Sequence, residues 1–259
     1  LLMLTPLKNA ASQLDRYFHL LAQMTYPKHR MSLAFLVGDE TDDTYDRLIE
    51  HLYRVRSQYR RVIVLRKDFN YGLKNEERKT YMEQVPRRKT MARARNYLVT
   101  AALYDEEWVL WRDVDLVEFP ADIAEQMMRH NRDVMTVNCY WPVPDKGPQP
   151  YDLNAWAETP ESIAWAKTRD PGEPFFEGHS EMWTRRKHLY RFASEQDEVV
   201  RLDGVGGTFL LVRSEVHRSG ALFSPFIYKH QLETEGFGLI ANDMGYGVFG
   251  LPHLKVMHM

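Results

Sequence analysis

The chain has 259 residues, 44% of them hydrophobic and 27% charged, with a formal net charge of −2. That length holds one large domain or two small ones, and so small a net charge argues against nucleic-acid binding, which needs a broad basic surface. A single cysteine excludes an intrachain disulfide and any multi-cysteine metal cluster, and the longest apolar runs, such as 33–37 and 208–212, fall far short of the ~18 residues that span a bilayer.

The first half alternates strand and helix patterns. Leu1–Leu4 reads as a strand. Leu14, Tyr17, Phe18, Leu21 and Met24 recur at spacings of three and four and predict an amphipathic helix over 10–24. A buried-strand run at 33–37 ends at Gly38-Asp39. Thr41-Asp-Asp then caps a helix with Tyr45, Leu48, Ile49, Leu52 and Val55 as its apolar stripe. Residues 62–65 are a third strand, and 67–86 reads as a loop with a helical piece. Met91, Ala94, Leu98 and Ala101 mark a helix at 88–104 that feeds a strand at 108–112. A short helix at 121–129 and a strand at 134–140 follow. Residues 141–183 are rich in proline, glycine and aromatics and read as long, ordered loops. A strand at 209–212, a short helix capped by Ser214, and a helix from Glu233 with Phe237, Ile240 and Met244 inward complete the order, with a last strand at 248–256. Such alternation predicts a mostly parallel central sheet flanked by helices. No linker or repeat is evident, so 1–259 reads as one domain, with a nucleotide-binding half over about 1–140 and an acceptor-binding half over about 141–259.

Ligands of such sheets bind beyond the carboxyl ends of the strands. Four loops there carry polar or turn chemistry: Thr5-Pro6, Gly38-Asp39, Lys67-Asp68 and Asp113-Val-Asp115. The last follows the apolar run Trp108–Trp111. Residues two apart on an extended chain share a side, so Asp113 and Asp115 are expected to offer two carboxylates to a divalent cation shared with a diphosphate. The blander account is a solvated turn, with Asp115 paired to Arg112. Arg95 borders the apolar stripe of its helix and needs a buried partner, either a carboxylate or a ligand phosphate. Arg87, Arg88 and Lys89 read as a solvated basic face. Glu233 and Glu235 stand at a helix start, where the dipole stabilises them and where one could face a sugar. His258, taken alone, reads as an exposed histidine near a chain end. These residues describe a metal-assisted enzyme acting on a diphosphate-bearing substrate, and best fit a glycosyltransferase using a sugar nucleotide. A sugar nucleotidyltransferase would want a glycine-rich first loop, which Thr5-Pro-Leu-Lys8 is not.

Several stretches resemble a known family. Leu4-Thr-Pro-Leu, Arg66-Lys-Asp-Phe-Asn, Pro86-Arg-Arg-Lys, Trp111-Arg-Asp-Val-Asp, Leu202-Asp-Gly-Val-Gly-Gly and Glu233-Thr-Glu-Gly-Phe are similar to the fungal mannan polymerase subunits, Golgi α-mannosyltransferases of N-glycan mannan synthesis. The resemblance runs the length of the chain. It implies a GT-A type Rossmann-like fold, GDP-mannose as donor, Mn²⁺ (or Mg²⁺) as cofactor and retention of the α configuration, with α-1,6 the favoured linkage. By the matching motifs, Asp113 and Asp115 would hold the metal with His258 as third ligand. Thr5, Pro6, Asp68, Arg95 and Asp113 would line the nucleotide and diphosphate. Asp203 and Glu235 would contact donor sugar or acceptor, and with Glu177 they are the carboxylates on offer as a nucleophile. The implied partners are an α-mannoside or N-glycan acceptor and a related mannosyltransferase subunit. The implied setting is the Golgi lumen, with a type II membrane anchor lying outside this chain. A catalytically silent scaffold subunit is the alternative.

Overall fold

A computed structural model of the chain describes residues 1–72, 81–178 and 183–259. In chain order it opens with β1 (Leu2–Leu7), α1 (Leu14–Gln23), β2 (Ser32–Val37), α2 (Thr44–Val55), β3 (Arg61–Arg66), α3 (Tyr81–Ala102) and β4 (Trp108–Arg112). β3, β2, β1 and β4 lie side by side and parallel. Then come β5 (Leu116–Glu118), α4 (Ile123–Met128), β6 (Val134–Val143), β7 (Gly147–Pro150), β8 (Trp156–Ala157), α5 (Pro160–Ala166), β9 (Lys187–His188) and β10 (Val200–Arg201). β11 (Phe209–Arg213), α6 (Ser214–Arg218), β12 (Ser224–Tyr228), β13 (Gln231–Leu232), α7 (Glu233–Asp243) and β14 (Val248–His258) finish the order.

Among the described residues, ten strands form one sheet, ordered β10-β14-β6-β11-β4-β1-β2-β3, with β5 joined to β14 and β7 to β6. β11 enters between β4 and β6 antiparallel to both, while β14 runs parallel to β6. The sheet is therefore mostly parallel on one side and mixed on the other.

β1 and β2 are buried almost throughout, because helices cover both faces, and such strands read as unbroken apolar runs. Alternation divides their side chains. Met3, Leu33, Phe35 and Leu110 enter a core with Leu14, Tyr17 and Phe18 of α1 and Leu48 of α2. Leu2, Leu4, Ala34, Leu36, Val109 and Trp111 enter a second core with Ala92 and Leu98 of α3 and Phe237 of α7.

The expected elements differ in four places. α3 reaches back at least to Tyr81 and carries Pro86 inside it. A proline there gives up its bond to the carbonyl four residues earlier and crowds that carbonyl, yet the helix continues through it. Ser214 is the first residue of α6 rather than its cap, and its hydroxyl has no partner. Met244 lies beyond α7 and is exposed. The expected irregular stretch 141–183 contains the end of β6, the strand β7 and α5, the last closed by a capping box at Thr159. Among the described residues, no helix is long and apolar enough to cross a membrane.

Candidate active site

A cavity of about 270 Å³ opens beyond the carboxyl ends of the parallel strands. Pro6–Lys8 at the end of β1, Gly38-Asp39 after β2 and Asp113–Asp115 after β4 form one wall, and Arg87, Thr90, Met91, Ala94 and Arg95 of α3 form the other. Those five helix positions recur at spacings of three and four, so one stripe of α3 faces the cavity. Ala92, Leu98 and Val99 turn into the core behind it.

The Asp113-Val-Asp115 stretch leaves the strand at once. Arg112 still obeys the alternation and turns to the α1 side, where its guanidinium lies 4.0 Å above the Tyr17 ring and donates to the Tyr17 carbonyl at 3.2 Å. It makes no pair with Asp115. Burial with no carboxylate beside it lowers the Arg112 pKa to about 10. Asp113 turns the opposite way and accepts from Arg95 Nη2 at 3.1 Å. The following residues form a turn, so the two carboxylates do not stand parallel as on an extended chain. Asp115 instead meets His258 Nε2 at 3.0 Å. β14 brings that histidine there: it pairs with β5, placing His258 opposite Leu116. The Tyr151 ring stacks on the imidazole at 3.8 Å.

The electrostatics follow from burial. Desolvation pushes the Asp113 carboxyl up to about 6, opposed by Arg95 and reinforced by Asp115. Burial pulls the His258 imidazole down, but the Asp115 carboxylate outweighs it and the net shift is upward. Among the described residues, no three His, Cys, Asp or Glu side chains form a ready-made cage. The residues nonetheless suit a hard cation. Asp115 Oδ1 is buried with no hydrogen-bond partner, and a buried carboxylate oxygen with an open lone pair is the donor such ions take. His258 meets the other oxygen of the same carboxylate.

Arg95 is 3% exposed and is held between two carboxylates, Asp113 and Glu233, the latter at 3.1 Å from Nε. Glu233 sits in the left-handed region at φ 52°, a cost for a non-glycine residue that clusters at functional sites. Gly207 makes room for the pair. A Cβ there would lie 2.7 Å from Thr234 Cγ2 and 2.9 Å from Arg95 Nη2.

The other expected residues divide. Pro6 lines the cavity. Thr5 does not: its side chain is wholly buried and its hydroxyl is shared with Tyr17 at 2.8 Å and the Arg112 carbonyl at 3.1 Å. Asp68 acts through Asp39, whose N–H donates to Asp68 Oδ1 at 2.7 Å while the Asp39 carboxylate takes the N–H groups of Phe69 and Asn70. It is Asp39 that faces the cavity. Asp203 accepts the Glu158 N–H at 2.7 Å and lies outside the cavity wall. Glu235 is fully buried under Arg88, with Trp156 Nε1 donating to it at 3.1 Å, and burial pushes its pKa up to about 7. Glu177 is tied to Arg186 at 2.9 Å and to His188 at 3.0 Å. None of these three lines the cavity.

Three residues escaped the sequence reading. Arg88, expected on a solvated face, is buried and paired to Glu235. Asp152 accepts from Thr208 Oγ1 at 2.8 Å beside the Gly206-Gly207 turn. Arg186 lies 3.4 Å over the Trp156 ring. Arg88 alone had a signal: it stands seven residues, two helical turns, before Arg95 and so on the same side of α3.

A parallel-to-mixed sheet flanked by helices, with a cavity at the strand ends and acidic residues after β4, is that of a GT-A type glycosyltransferase fold. Solved structures agree: S. aureus TarS residues 1–349 (TM-score 0.55, 13% identity, 100% of this chain and 60% of that one), the Pyrobaculum calidifontis mannosyltransferase PcManGT in complex with GDP-Man and Mn²⁺ (0.55, 14%, 99% and 56%), and GalNAc-T7 with UDP, GalNAc and Mn²⁺ (0.58, 13%, 99% and 43%). At those identities the likeness is one of fold.

The family is shown by sequence. The Anp1 family model matches residues 1–227, and the chain belongs to that family. It is 39% identical to the mannan polymerase II complex anp1 subunit of Schizosaccharomyces pombe, covering 100% of this chain and 63% of that protein. It is 37% identical to the Saccharomyces cerevisiae ANP1 subunit, covering 55% of it, and 33% identical to the S. pombe complex subunit mnn9, covering 79%. The chain thus spans little more than half of the first two relatives' length.

Proposed function

We propose that this chain is the catalytic domain of a metal-dependent, retaining α-mannosyltransferase that moves mannose from GDP-mannose to an α-mannoside acceptor. One observation carries the reading: Arg95, Asp113 and Asp115 line one cavity beyond the parallel strands, with Arg95 on Asp113 and His258 on Asp115. The family membership and the fold of sugar-nucleotide transferases support it. Asp113, Asp115 and His258 would hold the ion, which when bound neutralises charge on the departing diphosphate. Arg95, fixed by Glu233, supplies a second positive charge at the same end of the cavity. The Gly38-Asp39 turn, clasped to Asp68, forms the wall for the nucleoside.

A covalent intermediate would need a carboxylate close under the anomeric carbon. Glu235, Asp203 and Glu177 are each committed to other partners. The geometry therefore favours attack by the acceptor hydroxyl on the face the diphosphate leaves, with α-1,6 the linkage we propose. Subunit names among the relatives support assembly with a related mannosyltransferase, and we extend the proposal to a Golgi-luminal setting.

The test is transfer from GDP-mannose to a short α-mannoside by the isolated chain with Mn²⁺, with the linkage read from the product. Loss of transfer in Asp115→Ala supports the reading, and full metal-dependent transfer in that variant refutes it. A second reading, a catalytically silent scaffold subunit, draws on a specific observation: Asp113 and Asp115 are already paired, to Arg95 and His258. Absence of transfer by the isolated chain, with activity only from a partner subunit in the complex, would establish it.

A further inference from the structure

The sheet ends on one side in β3. We propose that this open edge pairs, antiparallel and about a two-fold axis, with β3 of a second copy of the chain. The inference concerns assembly and stands apart from the transferase reading.

The backbone comes first. Among the described residues, no strand lies outside β3. β3 pairs with β2 over six residues without a bulge, whereas the opposite end of the sheet stops at the two-residue β10. Short strands, bulges, prolines and central charges protect a sheet end from pairing, and β3 carries none of them between Arg61 and Arg66. In a parallel ladder each residue points its N–H and C=O to the same neighbour, and successive residues point to opposite sides. The Lys67 N–H donates to the Val37 carbonyl, so Ile63 and Leu65 face β2, and Val62 and Val64 turn both backbone groups outward. Among the described residues, no loop backbone reaches them. Such a row is satisfied by another extended strand.

The flanks come second. Val62 and Val64 extend one core to the edge, and Ile63 and Leu65 extend the other. On α2, Arg47 and His51 turn to Asp15 of α1. The opposite side of that helix therefore overhangs the edge. There Tyr45 carries the Arg66 guanidinium 4.3 Å over its ring, and Ile49 and Tyr53 follow at successive spacings of four. Ile49 is 40% exposed and Tyr53 80%. On the other face of the sheet, Tyr104 carries Arg61 at 4.0 Å, and Tyr97 of α3 meets Phe69 beyond β3 at 6.5 Å. Those two tyrosines are 66% and 40% exposed. Large side chains thus stand open on both faces beside one unpaired strand, a concentration that marks an association surface.

The occupant comes third. Arg60, Arg61 and Arg66 are each paired within the chain, to Asp105 at 2.7 Å, Glu106 at 2.5 Å and Glu40 at 2.8 Å. The edge therefore does not select an acidic partner. Two-fold pairing needs a self-complementary strip, and Val62-Ile63-Val64 is symmetric about Ile63. Pairing centred there sets Val62 against Val64 of the second copy, each exchanging its outward N–H and C=O, and Ile63 against its own equivalent. Close cross-strand pairs of β-branched side chains stabilise a ladder. Arg60 with its Asp105 falls opposite Arg66 with its Glu40, so two neutralised ion pairs meet rather than two bare cations. The axis runs perpendicular to the sheet. It brings α2 to α2 and α3 to α3, and the open tyrosines cover one another.

The experiment is sedimentation of the whole chain at concentrations rising to the millimolar range, where a monomer–dimer equilibrium is expected. Tyr53→Lys is expected to raise the dimer dissociation constant about tenfold or more, the scale of one ring lost from an interface. Val64→Pro removes an outward N–H and leaves the bonds to β2, the position at which a sheet edge accepts proline, and is expected to abolish the dimer. Far-UV circular dichroism checks folding, and Tyr53→Lys, whose side chain stands in water, decides the matter if the proline variant unfolds. Ile63→Cys fixes the register. Opposed residues of a non-hydrogen-bonded pair have Cα atoms about 4.5 Å apart, within disulfide reach. Mild oxidation is expected to give a covalent dimer from Ile63→Cys and none from Leu65→Cys or from wild type, whose Cys139 is buried. A wild-type chain that stays monomeric throughout, or that pairs only with a different polypeptide, overturns the inference. So does a dimer that Tyr53→Lys leaves at wild-type affinity, or one that crosslinks through Leu65→Cys and not through Ile63→Cys.

Discussion

Asp115 is the residue on which the candidate site turns, because one of its oxygens is open and the other holds His258. Asp115→Asn keeps the shape and removes the charge, and transfer is expected to fall about 10²–10³-fold, the scale for losing one preorganised electrostatic group; steady-state kinetics with GDP-mannose reads it. His217 tests the support behind the strand. It is buried with no charged partner, accepts from Trp111 Nε1 at 3.3 Å and bonds the Ala221 carbonyl through Nδ1 at 3.0 Å. Burial lowers its pKa to about 4 from an ordinary 6.5. Between those values the unfolded chain binds a proton that the native chain refuses, so stability falls as pH drops from 6.5 toward 4, by about 3 kcal/mol in full. Glu235, pushed up to about 7, slopes the other way over about 4.5–7, so the test is a difference. His217→Phe is expected to be less stable than wild type at pH 7 by about 1–3 kcal/mol, because Trp111 loses its acceptor. The gap is expected to narrow steadily toward pH 4. Urea midpoints along that range measure it, and a constant gap would sink the assignment. Asp113 and Asp115 were legible because a buried apolar run ended on them. His217 was not, since its partner Trp111 lies more than a hundred residues away, and for Arg88 the helix period marked the side of α3 but not its distant partner Glu235.

At the scale of elements, the crossing from β2 to β3 shows how tightly the cavity wall at Gly38-Asp39 is built. Gly38 carries its backbone against Lys67, so that a Cβ would stand 2.1 Å from the Lys67 carbonyl oxygen. Lys67 is itself anchored, its N–H donating to the Val37 carbonyl at 3.0 Å, and the next residue, Asp39, adopts φ 49°. Neither side can retreat without breaking the β2–β3 ladder. Gly38→Ala is expected to cost at least about 3 kcal/mol, the upper end of overpacking penalties, and to weaken GDP binding with it. Chemical denaturation and calorimetry read the two effects, and near-wild-type values in both would show that the turn yields. The elements themselves could be read from pattern where a period was strong: α1, α2, β2 and β4 lie within a few residues of their expected places. The start of α3 could not, because Pro86 and its polar neighbours mimic a loop and the helix is held by burial of Gln84 and Arg88 rather than by an apolar stripe.

At the scale of the molecule, the parallel half was legible and the mixed half was not. Parallel strands joined by helices announce most of their neighbours, since β1, β2 and β3 each lie beside the next, although the β3–β4 crossover carries β4 to the far side of β1. β11 and β14 are placed by pairing with strands far away in sequence, β11 between β4 and β6 and β14 along β6. No local period encodes that choice, yet it is what delivers Thr208 to Asp113 and His258 to Asp115. The same arrangement predicts how ligands act together. Asp113 is paired to Arg95 and Asp115 to His258, so a cation alone must compete with a guanidinium and an imidazole whose protonated form the Asp115 carboxylate favours. A bound diphosphate would take up Arg95 and free Asp113, while a bound cation would strengthen the diphosphate's binding. The coupling is reciprocal. Mn²⁺ alone and GDP alone are each expected to raise the melting temperature slightly, and together by more than their sum. At a hundredfold excess over Kd the joint stabilisation is about 2.7 kcal/mol, or roughly 2–4 °C per kcal/mol for a chain of this size. EDTA is expected to remove the excess and leave the GDP-only shift. Raising pH through the His258 range is expected to strengthen the response to Mn²⁺ alone, because the imidazole must give up its proton before it can bind a metal. Strictly additive shifts at every pH would show that the two pairs do not gate the site.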